Sequence, residues 1–233
     1  MSAEGYKKAK TQGVTVWLTG LPSAGKSTIA VRLAEVLTAW GQQVELLDGD
    51  EIRERLSKGL GFSRQDRDEN IRRISYVARL LTKHGVVAVV AAISPYRSTR
   101  DEARAEIGRF VEVHVNCELA ECVRRDVKGL YKKALSGQIQ QFTGISDPYE
   151  EPLTPEAVVN THAEALDESV AKVVETLGLL GYLPIEVLSA RPALAAAAAT
   201  SSMATAATAH AVGASPSGGS PSAASVGGLV ASE

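Results

Sequence analysis

The segment Gly20-Leu-Pro-Ser-Ala-Gly25-Lys26-Ser27 has the spacing G-x-x-x-x-G-K-[ST]. That spacing serves a definite chemistry. A polyphosphate needs many donors at close range, and glycines let successive backbone N–H groups curl inward with no Cβ in the way. Lys26 brings a cation to the β- and γ-phosphates, and the Ser27 hydroxyl can ligate Mg²⁺. A helix that follows such a loop points its positive end at the same anion.

Two carboxylates, Asp48 and Asp50, form a second group. Asp50 has the charge to accept a hydroxyl proton from a phosphoryl acceptor or to help hold Mg²⁺. For Asp48, two readings stand open: a helix cap and a support of the metal's water shell. Arg53, Arg67, Arg72 and Arg73 make a local basic cluster, and guanidinium forks suit phosphate or sulfate groups. Arg72 and Arg73 are adjacent and cannot share one helix face. Ser94 follows the most apolar run of the chain and reads equally well as a ligand contact or as a cap hydroxyl. Lys128, Lys132 and Lys133, with Phe142 and Thr143, occupy a Gly- and Pro-punctuated stretch over 125–155. A long irregular stretch in a compact domain is often a lid, and lid lysines stabilise charge while closure excludes water.

The elements that must position these groups follow from hydrophobic patterning. Val14–Thr19 is a short β-branched run, read as a buried strand. Thr28–Ala39 carries Ile29, Ala30, Leu33, Ala34 and Leu37 at helical spacing, with Gly41 just past its end. Gln43–Leu47 reads as a strand and Asp50–Lys58 as a short helix. Ser63 starts a long helix, with Asp66 in the place of the usual capping-box Glu, and Ile71, Ile74, Val77, Ala78 and Leu81 mark its buried face. Val86–Ile93 is a central parallel strand covered on both sides, Phe110–Val115 another strand, and Asp167–Leu180 a helix. Strands alternating with helices predict an α/β fold, three-layered about a parallel sheet with right-handed crossovers. In such a sheet ligands collect at the carboxyl ends of the strands. Asp48, Asp50 and Ser94 belong there.

The chain of 233 residues has a formal net charge of −2, which favours neither nucleic acid nor an anionic membrane. No apolar run approaches the roughly 20 residues needed to span a bilayer, and no secretory signal is visible. Cys117 and Cys122 lack a metal or redox spacing and read as thiols in a reducing cytoplasm. From Pro192 to Ser232 there is no Asp, Glu, Lys or Arg. The expectation is a catalytic domain over 1–188 and a disordered, low-complexity tail over 189–233.

GLPSAGKST at 20–28, LDGDEIR at 47–53, LGFSRQDRDENIRRI at 60–74, ISPYR at 93–97 and RDVKGLYKKALSGQIQQFTGISDPYEEP at 125–152 together resemble the adenylyl-sulfate kinase family of P-loop kinases, from about Gly13 to Leu183. The resemblance implies transfer of the γ-phosphoryl group of ATP to the 3′-hydroxyl of adenosine 5′-phosphosulfate. It implies an ATP-binding set of Gly20, Ser23, Ala24, Gly25, Lys26, Ser27 and Thr28, with Mg²⁺ held by Ser27 and Asp50. Asp50 would also serve the acceptor hydroxyl. Arg53, Arg67 and Asn70 would bind the phosphosulfate nucleotide, Phe62 and Phe142 would enclose its adenine, and Ile93, Ser94 and Lys128 would complete the contacts. Lys26, Asp50 and Ser94 are the catalytic candidates. The family's serine at Ser94 is commonly described as a phosphoserine intermediate, yet no general base adjoins it in sequence, and in-line transfer needs only positioning and charge stabilisation. Two departures are Pro22-Ser23 for the commoner Ser-Gly, and Ala92 for a frequent Phe. A cytoplasmic enzyme is implied, with nucleotide substrates as its partners; a homodimer is compatible with this, and the oligomeric state stays open. The competing readings are a gluconate- or shikimate-type kinase and a catalytically silent nucleotide-binding module.

Overall fold

The computed structural model describes residues 13–183; the tail expected over 189–233 lies outside them. β1 (Val14–Thr19), β2 (Val44–Asp48), β3 (Val87–Ala91), β4 (Phe110–Asn116) and β5 (Ala157–Asn160) form one sheet in the order β2-β3-β1-β4-β5. All four pairings are parallel. β1 and β3 are buried at every position, because parallel strands covered by helices have no solvent face. β2 lies at one edge and is half-buried.

The helices are α1 (Lys26–Ala39), α2 (Gly49–Arg55), α3 (Arg64–Lys83), α4 (Arg97–Ile107), α5 (Leu119–Arg125), α6 (Leu130–Leu135) and α7 (Leu166–Leu179). Trp17, Ala88, Val90 and Phe110 project from the sheet onto Ile71, Ile74 and Ala78 of α3 and Ala103 of α4. Alternation along the strands sends Val16, Leu18 and Val89, also fully buried, to the other face. There α1 lies on the sheet and against α7. The three layers are those the patterning predicts.

Differences from the sequence reading have local causes. α2 stops at Arg55 because the N–H groups of Leu56 and Ser57 both return to the Ile52 carbonyl. β3 ends at Ala91, and the backbone then turns through a left-handed Ser94, φ 40°. Ser63 caps α3 as expected: its Oγ accepts from Asp66 N at 3.1 Å and donates to Asp66 Oδ2 at 2.7 Å. The stretch read as irregular contains α6 and is followed by β5. Both are too short, at 6 and 4 residues, to show a period.

Candidate active site

The loop between β1 and α1 turns tightly because side chains are missing where the chain crowds itself. A Cβ on Gly20 would sit 2.4 Å from the Val115 carbonyl oxygen, so β4 runs directly beside the loop. Gly25 (φ 99°) and Ser23 (φ 60°) take left-handed conformations. The glycine does so freely, the serine at some strain. Lys26 Nζ donates to the carbonyls of Gly20 (3.0 Å) and Leu21 (2.7 Å), inside the curl of the loop. Burial pushes its pKa down from 10.5 to about 8, against the opposing pull of Asp50 and Asp48. Thr161, just past β5, donates to the Ala24 carbonyl at 2.8 Å, and Arg125 holds Thr161 in turn.

Asp48 closes the adjoining corner. Its Oδ2 accepts from Ser27 Oγ at 2.6 Å, and its Oδ1 caps α2 through Asp50 N at 2.9 Å. The two readings left open for Asp48 are thus not alternatives. One oxygen caps, and the other faces the serine of the phosphate loop. Asp48 is the carboxylate that meets Ser27 directly. Asp50 sits in the first turn of α2, largely exposed, and its carboxylate pairs with Lys128 across the cleft.

The far wall carries the other candidates. The Arg53 guanidinium lies 4.6 Å from the Phe62 ring centroid and donates to the Gly61 carbonyl at 3.0 Å. Its pKa is lowered, first by burial and then by the positive charge of Arg67. An anion between the two guanidinium groups would relieve that repulsion. Arg67, buried, donates to the Phe62 carbonyl at 2.8 Å, reaches the Gln141 carbonyl and Thr143, and stands 3.7 Å from Asp147. It therefore ties α3 to the lid as well as bordering the cleft. Asn70 is 5% exposed and its Oδ1 has no hydrogen-bond partner. A buried acceptor left open costs about 1–3 kcal/mol, and a ligand N–H would satisfy it. Phe142 is buried edge-on to Tyr131, whereas Phe62 is 60% exposed on the rim.

Ile93 and Ser94 are held from behind. The Ile93 carbonyl accepts from Thr19 Oγ1 at 2.7 Å. The Ser94 hydroxyl accepts from Trp17 Nε1 at 2.9 Å and donates to the Ala92 carbonyl at 3.2 Å. Both of these bonds are to the protein, and Ser94 also lines the cleft. Arg100, fully buried, joins this loop to its surroundings. It donates to Glu112 Oε1 (2.7 Å), the Ser94 carbonyl (2.6 Å) and the Glu150 carbonyl (2.6 Å). Sequence reasoning missed Arg100, Arg125 and Thr161, whose partners are up to 137 residues away. No local signal marks Arg100, because its partner Glu112 shares β4 with the polar His114 and Asn116.

Phosphate-loop residues, Asp48, Asp50, Lys128 and the Arg53–Phe62–Asn70–Phe142 wall all line one cleft of about 370 Å³. Gly20 and Ala24 support it from the loop, and Thr28 lies at its edge in α1. The geometry offers two anion-binding ends, a hard-oxygen corner and an aromatic wall. Those are the parts of a phosphoryl transfer between two nucleotides.

The adenylylsulphate kinase family model matches residues 12–160. The adenylyl-sulfate kinase of Gloeothece citriformis is 60% identical over 174 residues, covering 75% of this chain and 99% of that protein. That of Microcystis aeruginosa is also 60% identical, covering 75% and 96%. Among solved structures, the Mycobacterium tuberculosis APS kinase CysC in complex with AMPPNP and APS superposes with a TM-score of 0.69 at 42% identity, over 72% of this chain and 98% of that one.

Proposed function

The chain belongs to the adenylylsulphate kinase family, and from that premise we propose how its cleft works. The enzyme transfers the γ-phosphoryl group of ATP to the 3′-hydroxyl of adenosine 5′-phosphosulfate (APS), giving ADP and 3′-phosphoadenosine 5′-phosphosulfate. In our reading ATP lies with its phosphates in the 20–28 loop and APS lies against Phe62, Phe142, Asn70, Arg53 and Arg67. The carrying observation is that both walls and Asp50 line one cleft.

Lys26 stabilises charge on the β- and γ-phosphates; held by only two carbonyls, its ammonium keeps a third N–H for a phosphate oxygen. Asp50 accepts a hydrogen bond from the 3′-hydroxyl and takes its proton as the new O–P bond forms and the bond from γ-phosphorus to the ADP oxygen breaks. Lys128 pairs with the Asp50 carboxylate and is in reach of transferring or neighbouring anionic groups. Arg53 and Arg67 supply the positive field for the phosphosulfate, and the open Asn70 Oδ1 takes an N–H from the base. Ser94 contributes its backbone and the shape of the loop.

The donor chemistry fits Mg²⁺. Ser27 Oγ and Asp48 Oδ2 are hard oxygens 2.6 Å apart. Among the described residues no group of three or more His, Cys, Asp or Glu could hold a metal ion by itself. That suits a cation held by one or two side chains together with substrate phosphates. When bound, Mg²⁺ neutralises charge on the phosphate oxygens. We assign Ser27 and Asp48 as its nearest protein groups, with Asp50 facing the acceptor.

Dependence on ATP and two free cysteines support a cytoplasmic location. No helix among the described residues is long and apolar enough to cross a membrane. The family match and the span of the relatives support a kinase domain within 1–188. Incubation with ATP, Mg²⁺ and APS should yield a 3′-phosphorylated nucleotide by mass spectrometry. Gluconate or shikimate in place of APS should yield no phosphorylated product; phosphorylation of either would overturn the reading.

A further inference from the structure

Between the two nucleotide-binding walls stands one residue that no substrate role claims. Tyr131, in α6, is fully buried. Its hydroxyl donates to the Pro22 carbonyl at 3.1 Å, in the middle of the phosphate loop. The edge of its ring meets Phe142 on the acceptor wall, with centroids 5.0 Å apart and planes at 78°. Such edge contacts favour one relative placement of two rings. The start of α6 is fixed as well. Asp126 accepts from the backbone N–H groups of Tyr131 (2.9 Å) and Lys132 (3.0 Å), and Lys128, which pairs with Asp50, lies in the same turn.

We propose, resting on the two-nucleotide reading above, that Tyr131 is a positioning residue that couples the ATP loop to the APS wall. The Pro22 ring fixes φ, one of the two torsions that orient its carbonyl. A phosphate loop ordered around ATP therefore fixes the Tyr131 phenol, and the phenol fixes the ring against which Phe142 rests. Phe142 leads in turn to the 141–147 turn. There the Phe142 carbonyl accepts from Ile145, Ser146 and Asp147 N–H groups, and Arg67 holds Gln141 and Thr143. Filling one site lowers the ordering still needed at the other, which is positive coupling. Coupling of this kind is reciprocal.

Burial pushes the Tyr131 hydroxyl far above its ordinary pKa of 10, so the phenol remains a donor throughout the working range. Tyr131→Phe removes the hydroxyl, with its bond to Pro22 and its interaction with Cys122, and keeps the ring edge on Phe142.

The test is calorimetric titration of the full chain with APS, with and without saturating AMPPNP and Mg²⁺. Wild-type protein should bind APS more tightly when AMPPNP is present. In Tyr131→Phe that enhancement should shrink by about 2- to 10-fold, the worth of one hydrogen bond. APS affinity in the absence of AMPPNP should stay within about twofold, because the Phe142 contact survives. Tyr131→Leu, which removes ring and hydroxyl together, should weaken APS binding under both conditions. An enhancement in Tyr131→Phe equal to wild type, or no enhancement in wild type, overturns the coupling role. A wild-type protein that binds AMPPNP but not APS overturns the two-nucleotide reading itself, and the inference with it.

Discussion

Replacement of Ser94 by Ala separates a covalent role for this serine from an architectural one. Its Oγ sits between the Trp17 indole N–H at 2.9 Å and the Ala92 carbonyl at 3.2 Å, and the residue is 2% exposed. Trp17 is fully buried and stacked on Phe110 with ring centroids 5.5 Å apart, so its ring has no route to water. Ser94→Ala leaves the indole N–H unpaired, at about 1–3 kcal/mol. For a domain of this size that lowers Tm by roughly 3–10 °C. Alanine keeps the carbonyl that Arg100 holds, and it strains the left-handed backbone no more than serine does. Turnover at a temperature where the variant is folded should therefore remain within about fivefold of wild type, because no transition-state contact is removed. Loss of an obligatory covalent nucleophile would instead cost on the order of 10⁴-fold or more. Thermal melting monitored by Trp fluorescence, paired with a steady-state ADP assay, reads both quantities. A variant that melts like wild type but has lost turnover by three orders of magnitude would refute the architectural role.

Lys26 gives a pH signature. Its native pKa is lowered to about 8 against 10.5 for the free side chain. As pH rises through 8 the native ammonium loses its proton while the unfolded chain keeps its own up to about 10.5. The penalty of burying the charge is thereby relieved, and stability from this group rises across that window. Anion binding goes the other way. Affinity for AMPPNP should fall by about tenfold per pH unit above 8, one proton being lost; a flat profile to pH 10 would contradict it. Lys26→Ala should reduce turnover by about 10²–10³ with the fold intact, checked by circular dichroism beside the rate. Asp50→Asn should suppress turnover far more than AMPPNP affinity, since Asn keeps the shape and loses the proton acceptor. Equal losses in both would make Asp50 a general binding residue. Truncation after Ala190 should leave turnover and melting temperature nearly unchanged, as the removed sequence has no Asp, Glu, Lys or Arg between Arg191 and Glu233. A fall of many degrees would place the tail in the folded domain.

Local chemistry made much of this site readable in the sequence. The strand, glycine loop and helix around Lys26 announce themselves by composition and order, and Ser63 caps α3 where its position suggested. Asp48 and Asp50 could be located at a strand end, where Asp50 read as functional and Asp48 stayed open between two roles. In the structure Asp48 ends β2 and meets Ser27, whereas Asp50 lies in the first turn of α2 and meets Lys128, 78 residues later. Arg67 read as an anion-binding group, and its bonds to the lid came from a turn whose path the sequence does not specify. Arg100 and Tyr131 were invisible for a stronger reason. A buried arginine on a polar helix and a tyrosine among lysines look like surface residues until the partners on β4 and the phosphate loop are in place. β5 was missed because four residues beside Pro155 carry no period, and its strand character comes from pairing with β4.

The central claim is that one cleft holds both nucleotides and passes a phosphoryl group between them. Steady-state ADP release, measured with Mg²⁺ and ATP in the presence and absence of APS, tests it most directly. ADP should form with APS at a rate typical of small-molecule kinases, about 1–100 s⁻¹, and in stoichiometry with a 3′-phosphorylated product. Without APS it should fall to background. ADP release that is independent of APS, or absent under both conditions despite tight AMPPNP binding, would contradict the account.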